Sequence, residues 1–121
     1  MTEVKRKFAP KIAVELNSPD FKTKFTKEQL VQYNGRSKPQ RYIAIKSHVF
    51  DVTKNESAYG EGTKYNVFCG YDASRALGKS SLNLDDVLNE SLNDLTEKQL
   101  QTLDDWYSFF EQRYNIVGVL I

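Results

Sequence analysis

The sequence predicts an α+β fold, and three observations carry this prediction. Residues 41 to 53, RYIAIKSHVFDVT, hold β-branched and aromatic side chains on both sides of Ser47, which is typical of two short strands joined by a tight turn. Residues 95 to 114 place apolar side chains at three- and four-residue steps, as an amphipathic helix does. The following residues, NIVGVLI, predict a closing strand.

The N-terminal region differs in composition from the rest of the chain. Residues 1 to 24 carry basic residues and prolines but few large apolar groups, which predicts an extended or partly ordered arm. The folded domain is therefore predicted to span residues 25 to 121. It begins with a short helix, because Thr26 and Gln29 have the spacing of a capping box and Asn34-Gly35 supplies a stop signal.

The middle of the chain predicts a loop and a second short helix. Residues 54 to 66 contain glycines and lack apolar periodicity, so Tyr59 and Tyr65 are expected on a loop. Asp72 can cap a helix over residues 73 to 77, which the next glycine ends.

The helix near the C-terminus has the strongest pattern in the chain. Thr96 and Gln99 repeat the capping-box spacing at its start. Its aromatic residues are interpreted as core packing, since aromatic side chains at helical spacing mostly pack. Its last turn carries Arg113 and Tyr114.

Composition excludes several classes of function. The 121 residues include 17 Lys and Arg against 16 Asp and Glu, a net charge of +1, without the basic excess of a protein that binds nucleic acid. The single cysteine, Cys69, excludes an internal disulfide and a cysteine-rich zinc site. No Ser-His-Asp set, catalytic carboxylate motif or phosphate-binding glycine loop can be assembled, so an enzyme is not expected.

The hydrophobic runs are short. None approaches the roughly 20 residues that span a bilayer, and no apolar segment follows the basic residues near the N-terminus as in a secretory signal. We therefore expect a soluble intracellular protein, either cytoplasmic or peripherally attached to the endoplasmic reticulum.

Tyrosines are concentrated around a glycine-containing stretch, where Tyr59, Tyr65 and Tyr71 recur at six-residue intervals. Tyrosines in loops often only cover the edge of a core, so packing and the binding of a ligand are both open interpretations of these phenols.

Two segments together resemble a known family. HVFDVTKNESAYGEGTKYNVFCGYDASRAL, followed after an insert by LDDWYSFFEQRYNIVGVL, is similar to the membrane-associated progesterone receptor family, which has a cytochrome b5-like haem/steroid-binding fold. The resemblance covers residues 25 to 121, and within the family the sequence looks most similar to the fungal damage-resistance members. It implies a small sheet with short helices that form a haem cleft.

The resemblance also implies roles for individual residues. By position, Tyr65 matches the single tyrosine that ligates ferric haem b, so Tyr65 is the expected iron ligand. Tyr59, Arg113 and Tyr114 match residues that hydrogen-bond the ligand phenolate or a haem propionate. Family members carry prolines in the loop before the ligand, where this chain has Glu61 and Lys64, which predicts a more flexible loop.

The chemistry of an iron ligand leaves alternatives to Tyr65. A tyrosine phenol binds iron where ferric charge and nearby donors favour the phenolate. His48 and Cys69 are alternative single ligands, whereas Tyr71 is assigned to packing because the matching family position is not aromatic. Electron transfer with two histidine ligands is excluded, because the chain has one histidine.

The function that the resemblance implies is support of haem-thiolate monooxygenases, as in sterol synthesis, or delivery of haem to them. An open second haem face further implies a haem-dependent homodimer. The alternative is a module that binds a steroid or a protein segment in the same cleft without haem. Electron transfer is a third interpretation, which a tyrosinate ligand disfavours because it stabilises ferric iron.

Overall fold

A computed structural model describes residues 15 to 121, and these residues fold around a four-stranded mixed sheet in the order β1-β4-β3-β2. The strands are β1 Lys24–Phe25, β2 Tyr42–Ile45, β3 His48–Asp51 and β4 Asn115–Leu120. Strand β1 runs parallel to β4, whereas the β2-β3 and β3-β4 pairs are antiparallel. The first and last strands of the domain are therefore neighbours, so the two ends of the domain meet in the sheet.

Helices connect and cover the strands. The described residues form α1 Lys27–Leu30, α2 Glu56–Tyr59, a 3₁₀ helix Asn66–Phe68, α3 Ser74–Gly78, α4 Leu84–Leu88 and α5 Glu97–Arg113. The α+β prediction is confirmed. The capping boxes at Thr26 and Thr96 are also confirmed, because in each the threonine hydroxyl accepts a backbone N–H while the glutamine side chain accepts the threonine N–H.

The predicted hairpin is present without a glycine in its turn. Lys46 and Ser47 join β2 to β3 with φ values of 50° and 66°, the left-handed conformation that a two-residue hairpin turn requires. The Lys46 N–H donates to the Ser74 hydroxyl at 2.8 Å. His48 lies in β3 and not in the turn.

Three predicted boundaries are wrong. Helix α1 ends at Leu30, before the predicted Asn34-Gly35 stop, which instead forms a turn in which the Asn34 side chain accepts the N–H groups of Arg36 and Ser37. The predicted loop over residues 54 to 66 contains α2, so Tyr59 lies on a helix. Helix α3 begins at Ser74 and includes Gly78, so its N-cap is Ala73 and not the predicted Asp72, although the Asp72 carboxylate accepts the Ser74 N–H.

The main core lies between the sheet and the helices. It is built from aromatic and aliphatic side chains of strands β2 to β4 and of the helices that follow β3, including Phe50, Phe68, Leu103, Trp106 and Phe110. A smaller cluster fills the other face of the sheet, where Phe25 packs edge-on against Tyr33 and Tyr42. The long helix α5 therefore presents its aromatic stripe to the core, as its spacing predicts.

Residues 15 to 25 lie along β4. The Asn115 side chain accepts the Asn17 N–H at 2.7 Å and donates to the Glu15 carbonyl at 2.9 Å, and the Asp20 N–H donates to the Ile116 carbonyl at 3.0 Å. A Cβ atom on Gly118 would lie 2.5 Å from the Phe25 ring, so β1 can approach β4 this closely only because position 118 lacks a side chain.

Candidate functional site

The predicted site begins at Tyr59, the last residue of α2. Its side chain is completely buried, and its ring centroid lies 6.3 Å from that of Tyr114 and 6.4 Å from that of Tyr65. The structure therefore brings the three predicted tyrosines together, although Tyr114 is far along the chain at the junction of α5 and β4.

Asn55 forms a buried polar network with Tyr114 and with the backbone of Tyr59. The Asn55 amide donates to the Tyr114 hydroxyl at 2.9 Å, and the Asn55 carbonyl accepts the Tyr59 N–H at 3.0 Å. Burial raises the pKa of Tyr59 well above its usual value and that of Tyr114 to about 12. Both phenols are therefore protonated and neutral at physiological pH.

Tyr65 differs from the other two tyrosines in its exposure. It is half-buried and directly precedes the 3₁₀ helix, and its ring stacks on Phe68 with 6.2 Å between centroids and 15° between planes. The Lys64 ammonium group lies 5.6 Å from the centroid of the Tyr65 ring. Tyr65 is therefore the phenol of this cluster that a ligand can reach from the surface.

Arg113 occupies the last position of α5, next to Tyr114. Its guanidinium carbon lies 5.2 Å from the centroid of the Phe109 ring, and its side chain is half-buried. The positive charge of Arg113 acts against burial and lowers the pKa of Tyr114, but burial prevails. The site thus carries a fixed cation beside a neutral phenol.

The turn between Tyr59 and Tyr65 is closed by side-chain hydrogen bonds. The Thr63 hydroxyl lies 2.8 Å from the Ala58 carbonyl and 2.6 Å from the Gly60 carbonyl, and the Asn66 side chain donates to the Tyr59 carbonyl at 2.8 Å. Gly62 has a φ of 79°, which a residue with a side chain rarely adopts. Side-chain hydrogen bonds therefore order the segment that carries Tyr65.

The alternative ligands lie in less suitable surroundings. The His48 Nδ1 is 2.7 Å from the Tyr107 hydroxyl and its ring contacts Phe21. Cys69 is 3% exposed, and burial raises the pKa of its thiol to about 12, so the thiolate that would bind a metal is not formed. Within residues 15 to 121 no group of three or more His, Cys, Asp or Glu side chains could hold a metal ion.

A polar cleft of about 230 Å³ lies behind the buried network. Its lining residues are Glu15, Asn17, Asp51, Lys54, Asn55, Tyr114 and Asn115. Tyr114, a member of the tyrosine cluster, and its hydrogen-bond partner Asn55 thus also line this cleft. The sequence patterns did not indicate Asn55, because a single asparagine before a short helix has no distinctive spacing.

Comparison with known proteins places this geometry in a family. Residues 26 to 108 match the family model described as "Cytochrome b5-like Heme/Steroid binding domain". The chain belongs to this family. A solved structure from Arabidopsis thaliana, described as having a cytochrome b5-like fold, superposes with a TM-score of 0.73 at 52% identity and covers 82% of this chain and 91% of that chain. The predicted fold is thus confirmed.

Curated relatives of this cytochrome b5-like domain include "Probable steroid-binding protein 3" of Arabidopsis thaliana, 56% identical over 80% of this chain and 97% of that protein. The cytochrome P450 regulator dap1 of Schizosaccharomyces pombe is 38% identical over 80% of this chain and 62% of its own length. Human membrane-associated progesterone receptor component 2 is 38% identical over 83% of this chain and 46% of its own length. The resemblance to the progesterone receptor and fungal families is confirmed.

The chain spans less than two thirds of the length of the fission yeast and human proteins. Among residues 15 to 121, no helix has the length and apolar character needed to cross a bilayer.

Proposed function

We propose that this domain binds ferric haem b with the Tyr65 phenolate as the single protein ligand to iron. The observation that carries the proposal is the contrast within the tyrosine cluster, where Tyr65 is half-buried while Tyr59 and Tyr114 are almost completely buried. A phenolate is a hard oxygen donor that suits ferric iron, and tyrosine is an established haem ligand. When bound, haem would supply a ferric iron with one face left open.

The other residues of the cluster have a complementary role in this proposal. Tyr59 and Tyr114 keep their protons, because burial raises both pKa values. They can therefore donate hydrogen bonds to an anionic oxygen, and they do not compete with Tyr65 as phenolate ligands. Arg113 would add positive charge that favours a phenolate or a propionate.

The test is a visible-absorption titration of the apo-protein with ferric haem. We expect wild type to give a saturable high-spin spectrum with a phenolate-to-iron band, and Tyr65→Phe to lose both the band and tight binding. Tyr71→Phe is the matched control, because Tyr71 is also half-buried and packs against the core. Equal binding by wild type and Tyr65→Phe would assign the iron to another ligand, and His48 and Cys69 would then be substituted in turn.

We further propose that the haem-bound domain supports haem-thiolate monooxygenases or delivers haem to them. A relative that covers 80% of this chain is named a cytochrome P450 regulator. Transfer is tested by mixing the haem-loaded protein with an apo-monooxygenase and following the thiolate-type spectrum. A Tyr65→Phe protein that promotes this transfer as well as wild type does would contradict the proposal.

The open haem face also leads us to propose a haem-dependent homodimer. Sedimentation of the apo and haem-loaded protein at the same concentration tests it, and we expect the mass to double only with haem. An unchanged mass would mean that the second face is closed by a group of the same chain or by solvent.

A second candidate function is the binding of a steroid in the same cleft without haem. It is favoured by the name of the Arabidopsis relative, "Probable steroid-binding protein 3", of which this chain covers 97%. Titration with a fluorescent steroid in the presence and absence of haem separates the two. Saturable steroid binding together with haem binding no tighter than that of an unrelated protein would favour this candidate. Either function is one of binding and not of catalysis.

A further inference from the structure

Asn55 joins the two elements that supply the buried tyrosines. It caps α2, and its carbonyl accepts the Ala58 N–H at 3.3 Å and the Tyr59 N–H at 3.0 Å. Its side chain is turned toward the end of α5, where its amide donates to the Tyr114 hydroxyl at 2.9 Å. Its side-chain oxygen accepts from the Ser57 hydroxyl at 3.2 Å. One residue, 2% exposed, thus bonds both Tyr59 and Tyr114.

The direction of the bond to Tyr114 follows from the chemistry of the two groups. An amide nitrogen can only donate, so the Tyr114 oxygen accepts from Asn55. A hydroxyl also has one proton of its own to donate, and this proton cannot be directed at the amide N–H that Asn55 donates to it. The Tyr114 O–H is therefore directed away from Asn55.

We infer that Asn55 is a positioning residue of the ligand site, which sets Tyr114 as a hydrogen-bond donor toward a ligand group that carries an acceptor, such as a carboxylate. This inference rests on the proposed haem function, because a haem propionate is the carboxylate in question. An asparagine at position 55 thus fixes the direction of the Tyr114 O–H without adding a charge to the site.

The substitution Asn55→Asp tests the inference with almost no change in shape. A carboxylate only accepts, so the Tyr114 hydroxyl would turn its proton toward position 55 and lose it as a donor to the ligand. Aspartate is as good a helix N-cap as asparagine, and the capping carbonyl of residue 55 is unchanged, so α2 is retained.

Asn115→Asp is the matched control. Asn115 lines the same polar cleft as Asn55 and follows Tyr114 in the chain, but its side chain bonds Glu15 and Asn17. It therefore adds the same charge to the same cleft, which also holds Asp51 and Lys54, without a bond to the Tyr114 phenol.

Two measurements are made on wild type and both variants. The first is ferric-haem affinity, for which we expect a loss of about tenfold or more in Asn55→Asp and less than about twofold in Asn115→Asp, as befits a lost hydrogen bond to a charged group. The second is the ¹³C NMR shift of the Tyr114 ring carbon that bears the hydroxyl, recorded on the apo-protein. It should move in Asn55→Asp and stay in place in Asn115→Asp.

The outcomes separate this inference from the proposed function. Equal haem affinity in Asn55→Asp and wild type, or an equal loss in both variants, would overturn the positioning role. If wild type itself fails to bind haem, the proposed function is wrong. The NMR spectra of the apo-protein then still test whether Asn55 orients the Tyr114 hydroxyl. An unmoved Tyr114 signal in Asn55→Asp overturns the inference in either case.

Discussion

Two polar clusters hold irregular segments of this domain, one through neutral hydrogen bonds and the other through ion pairs. The phenol cluster, made of Asn55, Tyr59 and Tyr114, uses neutral hydrogen bonds, and burial raises the pKa values of both its tyrosines. The arginine cluster, made of Arg75, Asp86 and Asp94, uses full charges, and hydrogen bonds lower the pKa values of both its carboxylates. A neutral cluster can receive the charge of a ligand, whereas the opposite charges of the arginine cluster already balance one another within the fold.

The arginine cluster attaches the insert between α3 and α5. The Arg75 guanidinium donates to Asp86 at 3.2 Å, to the Ser91 carbonyl at 3.0 Å and to both carboxylate oxygens of Asp94. Asp86 also accepts from Lys79 at 3.1 Å and from Ser81 at 2.7 Å. One side chain of α3 thereby fixes α4 and the segment that leads into α5.

Replacement of Arg75 should give the largest loss of stability. Arg75→Gln removes the charge and the forked donors, which leaves Asp86 and Asp94 without their common partner. We expect a clear drop in the urea midpoint of unfolding, while the folded fraction retains the haem affinity of wild type. Arg36→Gln, at an exposed arginine, should leave the midpoint almost unchanged. A loss of haem affinity in folded Arg75→Gln would show that the two clusters are coupled.

Alkaline pH should act on the phenol cluster. The unfolded chain releases the Tyr114 proton near pH 10, whereas the folded protein holds it up to about pH 12. The folded state binds more protons in this window, so the free energy of unfolding falls as pH rises, by about 2 kcal/mol at pH 12 for Tyr114 alone. Tyr59 acts in the same direction. Urea unfolding from pH 9 to 12 should therefore show a shallower decline in Tyr114→Phe than in wild type, and parallel declines would contradict the prediction.

Acid pH should act on the arginine cluster, with a smaller effect. The pKa of Asp94 is lowered from 3.8 to about 2, chiefly by its hydrogen bond to Arg75. Its contribution to stability is complete above pH 3.8 and is lost as pH falls through 2. The Asp94 side chain is 62% exposed, so solvent screens much of the interaction. Unfolding from pH 5 to 2 should lose less free energy in Asp94→Asn than in wild type, and Asp104→Asn serves as the control at an exposed ion pair.

The range of each interaction explains what could be predicted from the sequence. The capping boxes at Thr26 and Thr96 were predictable, because both partners lie within four residues. The bond from Asn55 to Tyr114 joins residues 59 positions apart, and that from Arg75 to Asp94 joins residues 19 apart. Neither has a local pattern, since tertiary packing creates the contact. The tyrosines of the site were indicated by resemblance, whereas their burial, which distinguishes Tyr65 from the others, depends on α2.

The smallest expected effect comes from a substitution in the turn between Tyr59 and Tyr65. Thr63→Val keeps the shape of the side chain but removes the hydroxyl that bonds the Ala58 and Gly60 carbonyls. We expect the free energy of unfolding to fall by about 1 kcal/mol. We also expect haem affinity to fall about two- to fivefold, because a looser segment loses more conformational entropy when Tyr65 is fixed by a ligand. Thr102→Val, which removes a hydroxyl bonded to the Lys98 carbonyl on the outer face of α5, is the control and should leave haem affinity unchanged. If Thr63→Val lowers stability but not haem affinity, the Thr63 hydroxyl stabilises the fold only. Ligand binding beside the phenol cluster would then not depend on the order of this turn.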